Sequence, residues 1–382
     1  LRWKLIFGLI IALGVSLVAV RPGYAVDVDL GQTATSLDLT ELNQFIGTLD
    51  QDTVRFLPKF DLKSWGATGP RWQVAEIGRQ LLRYFFREIL FNLHLLGELI
   101  LLALALAILQ NIQPAFENVT VQQMAFGVCF LSIIGIVLNS FKVTFGIAQG
   151  AVDTLTGFMR ATIPLMFSLI AAAGGVTTTM IVHPLLITAV GVVAGLMNSL
   201  VFPLILFAGA LSLVNYLNDG FPIAKLANLF RKAALGIMGL AMASFIGLIA
   251  IRGFTAGVAD STALRAGKYF TKTFLPAVGG ELADTLEMAV GCAAILKSGL
   301  GMFGLGVVIL IAVFPLIKIL TVGIVYNLTG AILQPLGNQR LADALEKVGE
   351  TFFTLFGALA VIGLMFFIAI AILVGLSNYG AR

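Results

Sequence analysis

An all-α polytopic membrane protein is the fold class this sequence predicts, and three observations carry it. Of 382 residues, 59% are hydrophobic, and mean hydropathy is +0.99. Only 12% are charged, about half the share of an average soluble domain. The charges are also clustered, leaving charge-free runs at 99–116, 118–141, 161–218, 233–251, 298–317, 321–339 and 351–381. A charge at mid-bilayer is costly, so such runs mark spans. A water-soluble globular chain is excluded, because too little polar surface exists to cover so apolar a core. Disorder is excluded by the same composition.

Residues 1–25 read as a secretory signal. Arg2 and Lys4 form a positive start, Leu5–Val20 is an apolar stretch of 16 residues, and Gly23-Tyr24-Ala25 is a small-x-small cleavage site. The same segment is short for a spanning anchor. It also accounts for most of the basic balance. The chain carries 24 Lys and Arg against 20 acids; without Arg2, Lys4 and Arg21 the difference falls to +1. No nucleic-acid partner is implied.

Residues 26–87 are the one sizeable polar stretch, expected to form amphipathic helices in an exported segment. Asp38 is placed to cap a helix, with Leu39, Leu42, Ile46 and Leu49 on one apolar stripe. Gly66–Pro70 is a break. Beyond it Arg79, Arg83 and Arg87 share a face at helical spacing, which suits either an interfacial helix or a solvated helix end.

The remainder predicts seven or eight membrane segments, near 88–110, 122–149, 160–180, 184–214, 233–257, 283–300, 302–333 and 351–376. A turn is expected at Gly174-Gly175 or at His183-Pro184, where the proline suits a helix start. Segment 283–300 begins among acids and is a candidate re-entrant element. With 26–87 exported, five crossings put Asp260–Lys272 in the cytoplasm as a basic loop, in line with the positive-inside rule.

Val-Phe-Pro-Leu-Ile occurs twice, at 201–205 and 313–317, an offset of 112 shared by Pro164 with Pro276 and by Arg160 with Lys272. This predicts a duplication, 158–258 repeated as 270–376, following the first membrane helices at 88–157. Transporters often place a substrate path between such repeats. Three crossings per repeat would make the copies inverted, and a re-entrant first segment would make them parallel.

Candidate chemistry is sparse. His94 and Glu98 lie four apart on one helix face, and Lys142 and Lys318 interrupt long apolar runs. Ionisable groups so placed are functional candidates, though packing or snorkelling also explains them. Cys129 and Cys292 form no disulfide or metal framework. No phosphate-binding loop or nucleophile motif occurs, so no enzyme, catalytic residue, metal or cofactor is expected.

Phe274-Leu275-Pro276-Ala277-Val278-Gly279-Gly280 is followed by Asp284, Glu287 and Val290-Gly291-Cys292. Then come Phe314-Pro315-Leu316-Ile317-Lys318, Gln334-Pro335 and Met365-Phe366-Phe367-Ile368-Ala369-Ile370. This order resembles the stage III sporulation protein AE family of endospore-forming bacteria. The resemblance implies a multi-pass subunit in the mother-cell membrane around the forespore. It would belong to a trans-envelope, secretion-like complex with other stage III sporulation proteins and, through them, the forespore's stage II sporulation protein Q. The set Gly279, Gly280, Asp284, Glu287 and Gly291 reads as a gate or docking element, or equally as an acidic helix start. The alternative to such a complex is a stand-alone secondary transporter.

Overall fold

The computed structural model describes residues 40–49, 51–54, 57, 74–111, 119–215, 223–274, 279–336 and 339–375. The expected signal at 1–25, the cap at Asp38 and the break at Gly66–Pro70 lie outside the described residues. Two short helices come first, α1 (Thr40–Thr48) and α2 (Gln51–Val54). Long helices follow: α3 (Val74–Asn111), α4 (Val119–Ala172), α5 (Val176–Leu196), α6 (Phe202–Asn215), α7 (Ala224–Phe274), α8 (Gly279–Leu333) and α9 (Gln339–Gly375). A π-helical turn, Met197–Val201, joins α5 to α6 without a break. Among the described residues no strand occurs.

Among the described residues six stretches are long and apolar enough to cross a membrane: Glu76–Leu106, Gly127–Ala172, Val176–Val214, Ala224–Ile251, Val290–Leu333 and Gln339–Gly375. The sequence divides the same residues into seven or eight. The difference lies in α4 and α8. Asp153 and Arg160 punctuate the hydropathy of α4, but charged residues do not break a helix, and Pro164 is absorbed within it. Segments 283–300 and 302–333 likewise fuse into α8, so 283–300 is no separate re-entrant element. Residues 260–272, expected as a loop, continue α7.

The break after α4 has a clear local cause. Gly174 takes φ 88°, a conformation glycine adopts without steric cost. Gly174 N–H donates to Ala171 O (2.9 Å) and Gly175 N–H to Ile170 O (2.8 Å), the paired bonds of a Schellman cap. His183-Pro184, by contrast, lies inside α5 and starts nothing. The carbonyl of Pro184 accepts from Thr188 Oγ1 (2.8 Å). Prolines are tolerated in membrane helices where nearby groups satisfy the backbone. Pro203 is handled differently. It follows the π turn, in which Phe202 N–H reaches back five residues to Met197 O. The wider turn accommodates a residue with no N–H to donate.

Neighbouring helices alternate in direction. α4 is antiparallel to α5–α6: Phe167 meets His183 (5.1 Å between ring centres) and Asp153 meets Asn198 (2.9 Å). α4 is also antiparallel to α8, where Phe158 approaches Gly304 and Tyr326 donates to Ser140 (2.8 Å). α3 runs with α8, through Tyr84 on Phe314 (5.0 Å) and Asn92 on Thr321 (3.5 Å). α7 runs with α9, through Arg231 on Glu350 (2.9 Å) and Phe245 on Phe366 (6.2 Å). The hairpin α5–α6/α7 and the hairpin α8/α9, which the offset of 112 sets against each other, therefore point the same way.

α8 and α9 occupy the centre. Lipid tails are as apolar as leucine, so close van der Waals packing must hold such helices together. Glycines supply it. A Cβ on Gly301 would collide with Val374, one on Gly330 would come within 2.9 Å of Ala342 O, and one on Gly349 within 2.8 Å of Asn327 Oδ1. Outside this centre, α1 buries Leu42 and sets Phe45 against Phe158 of α4 (5.7 Å).

Candidate functional site: a charged seam between two hairpins

Arg231 belongs to no sequence motif, yet the fold gives it a partner 119 residues away. It lies one turn or two into α7, just before the charge-free run 233–251. Glu350 ends the charged start of α9, just before the run 351–381. Parallel packing of α7 on α9 brings these two boundaries to one level. Arg231 Nη1 donates to Glu350 Oε2 (2.9 Å), and Lys347 Nζ donates to Glu350 Oε1 (2.8 Å). Each carboxylate oxygen thus serves a different cation. Arg231 Nη2 also reaches Thr351 Oγ1 (3.4 Å), which itself donates to Lys347 O (2.9 Å). The pair is partly withdrawn from solvent, with side chains 22% and 34% exposed, and so is screened less than a surface pair.

Beside this cluster lies a small cavity of about 10 Å³, lined by Phe141, Phe145, Phe202, Ile205, Leu206, Thr351, Phe352 and Leu355. Phe202 and Ile205 belong to the first copy of the repeated pentapeptide. α6 comes so close to α9 here that a Cβ on Gly209 would lie 2.6 Å from Thr351 Cγ2 and 2.8 Å from Phe141 Cζ. Beneath, Phe352 packs on Phe141 (5.1 Å) and Tyr326 (5.3 Å). The site joins an apolar slot to a cluster of two cations and one carboxylate.

A second polar contact ties the far end of the bundle. Asp260 of α7 is 7% exposed, and its two oxygens accept from Thr177 N–H (2.8 Å) and Thr178 N–H (2.9 Å). These are free donors at the start of α5, whose own N-cap residue, Gly175, offers no side chain. Burial pushes the Asp260 pKa up, but hydrogen bonds from Thr178 and Thr177 outweigh it and hold the carboxyl below its ordinary value.

The sequence-derived candidates fall in several places. His94 Nδ1 and Glu98 Oε1 do meet, 3.4 Å apart, on the outer side of α3, with side chains 83% and 47% exposed. Lys142 is exposed on α4 and Lys318 half-buried on α8. Gly279 and Gly280 open α8, and Asp284 and Glu287 lie in its first turns, with side chains outside the described ones. Gly291 is exposed. None of these joins the seam. Cys129 and Cys292 are free thiols, and among the described residues no group of His, Cys, Asp and Glu is placed to hold a metal ion. Sequence reasoning passed over Arg231, Glu350 and Asp260. The signal was there for the first two, since each stands at the edge of a charge-free run; Asp260 carried none.

Comparison with known proteins gives one consistent answer. The family model described as Stage III sporulation protein AE matches residues 66–377. The Stage III sporulation protein AE of Bacillus subtilis (strain 168) is 33% identical over 350 residues, covering 91% of this chain and 88% of that protein. No solved structure matches. With the match extending over nearly every described helix, the chain belongs to the stage III sporulation protein AE family.

Proposed function

We propose that this sporulation-family membrane protein is the polytopic subunit of a trans-envelope, secretion-like channel complex joining mother cell and forespore. It sits in the mother-cell membrane and works by assembly and gating, without catalysis. Its partners are other stage III sporulation proteins and, through them, the forespore's stage II sporulation protein Q. Family membership is the observation that carries this reading. The bundle of six membrane-capable helices supports it. Deleting the gene in its native host and following a late forespore reporter by timed microscopy tests it. Normal engulfment followed by a silent, shrinking forespore is the expected result. Normal spores together with a nutrient or ion defect in growing cells would sink it.

One observation favours a second reading, a secondary transporter. The Arg231–Glu350 pair lies between the two hairpins, where transporters built from repeats place their substrates. Uptake of small organic anions into reconstituted vesicles, abolished by Arg231→Ala, would favour the transporter over the complex.

A further inference from the structure

α3 and α4 carry exposed charges at the depth where α8 passes the middle of its apolar stretch. Tyr84 stacks on Phe314 of α8, close to the middle of the apolar stretch Val290–Leu333. Its neighbours Arg83 and Arg87 are exposed. On α4, Ser140 meets Tyr326 and Phe158 adjoins Gly304. The α4 residues between 140 and 158 are therefore level with α8 residues 304–326, the interval that contains Phe314. Asp153 lies there and is exposed, as is Lys142. Charged side chains do not face hydrocarbon at mid-bilayer; they face protein or a wet cavity. The α3–α4 side of the molecule is thus no lipid-facing surface.

We infer that a second copy of this chain covers that side, with α3 of one copy set against α4 of the next. Copies inserted in one bilayer share a depth, so only groups at equal depth can meet. At the depth of Tyr84, α3 presents bulky Phe86 and Leu90, 61% and 66% exposed. At the same depth α4 presents Gly146 and Gly150, with nothing within 4 Å of where a Cβ would stand. Knobs and an open glycine strip suit close helix packing. The charges complement as well: Arg83 and Arg87 on α3 answer Asp153 on α4, and Glu88 answers Lys142. Because the two faces differ, the contact is heterologous, and repeated use builds a ring or a chain of copies. The inference rests on membrane insertion and not on the sporulation role.

The test uses the full chain in membranes of a host that makes no endospores, so that failure of the channel reading does not bear on it. Cys129→Ser and Cys292→Ala provide a thiol-free background. Differently tagged copies carrying Arg83→Cys and Gly150→Cys are co-expressed and treated with a short bis-maleimide. A mixed dimer at least several-fold above that from copies both carrying Leu240→Cys, exposed on α7, is the expected result. Asp153→Arg should reduce the mixed dimer several-fold, and adding Arg87→Asp to the copy that carries Arg83→Cys should restore it. Equal or stronger coupling through α7 would overturn the inference. So would a monomer by light scattering in nanodiscs. Positions 83 and 150 shielded from a water-soluble maleimide without self-coupling would mean that a different protein covers this face, and would overturn it too.

Discussion

Asp260 supplies from another helix a cap that α5 cannot supply for itself. Gly175 is dictated by the preceding turn, since a Cβ there would come within 2.6 Å of Ile170 Cγ2. A cap of this kind is worth about 1–2 kcal/mol. Asp260→Ala should lower stability in nanodiscs by about that amount, measured as a shift in thermal unfolding. The pH dependence has a definite sign. Hydrogen bonding holds the folded carboxyl below its ordinary value of 3.8. Its contribution is complete above that pH and is lost as pH falls through the lower folded value. The gap between wild type and Asp260→Asn should therefore narrow below about pH 4 and stay constant from pH 5 to 8. Gly209 makes a different residue-scale prediction. Thr351 and Phe141 leave no room for a side chain, and overpacking of a tight contact costs about 1–3 kcal/mol. Gly209→Val should show that loss in the same assay, while Gly239→Val, with open space, should not.

At the scale of elements, the seam depends on α7 and α9 lying parallel in one register. Removing one member of a partly buried pair leaves the other under-solvated, at a cost of about 1–3 kcal/mol, between exposed and fully buried pairs. Arg231→Glu should destabilise by at least that much, because it sets two carboxylates together beside Thr351. The exchange Arg231→Glu with Glu350→Arg should recover most of the loss in a double-mutant cycle. How legible such elements are depends on what ends them. Gly174-Gly175 was readable as a turn, because φ 88° at Gly174 is a local demand. Pro184 misleads, because within a bundle its missing N–H group is tolerated inside a continuous helix. The polar stretch around Asp153 misleads for a related reason: hydropathy falls there, but nothing in the backbone requires a bend. Arg231 and Glu350 could be marked singly as run boundaries, but their pairing comes from helix packing over 119 residues, which no local pattern records.

For the whole molecule, the decisive number is the crossings before Asp260. The sequence suggests five segments; four long helices, α3 to α5–α6 and α7, occur. The reason is the fusion of two expected segments into α4. An even number returns the chain to the side it left, so the start of α3 and the end of α7 lie at the same end. The sequence around both points is rich in Lys and Arg, and placing them at one end accords with the positive-inside rule. Reporter tags after Phe60 and after Ala277 should respond identically in a protease-protection assay, and a tag after Gln113 oppositely. Different responses at Phe60 and Ala277 would show that one of the four helices does not cross.

The helices flanking that connection have a mechanical consequence. α7 continues to Phe274, 23 residues past the end of its apolar stretch at Ile251. At 1.5 Å per residue this is a rod of about 35 Å. Being continuous with a membrane helix, it acts as a lever whose pivot is in the lipid. A tilt of about 5° at the pivot would swing the far end by roughly 3 Å, comparable to a subunit-interface helix shift. Whatever grips that end can therefore sense, or impose, small rotations of the helix that carries Arg231.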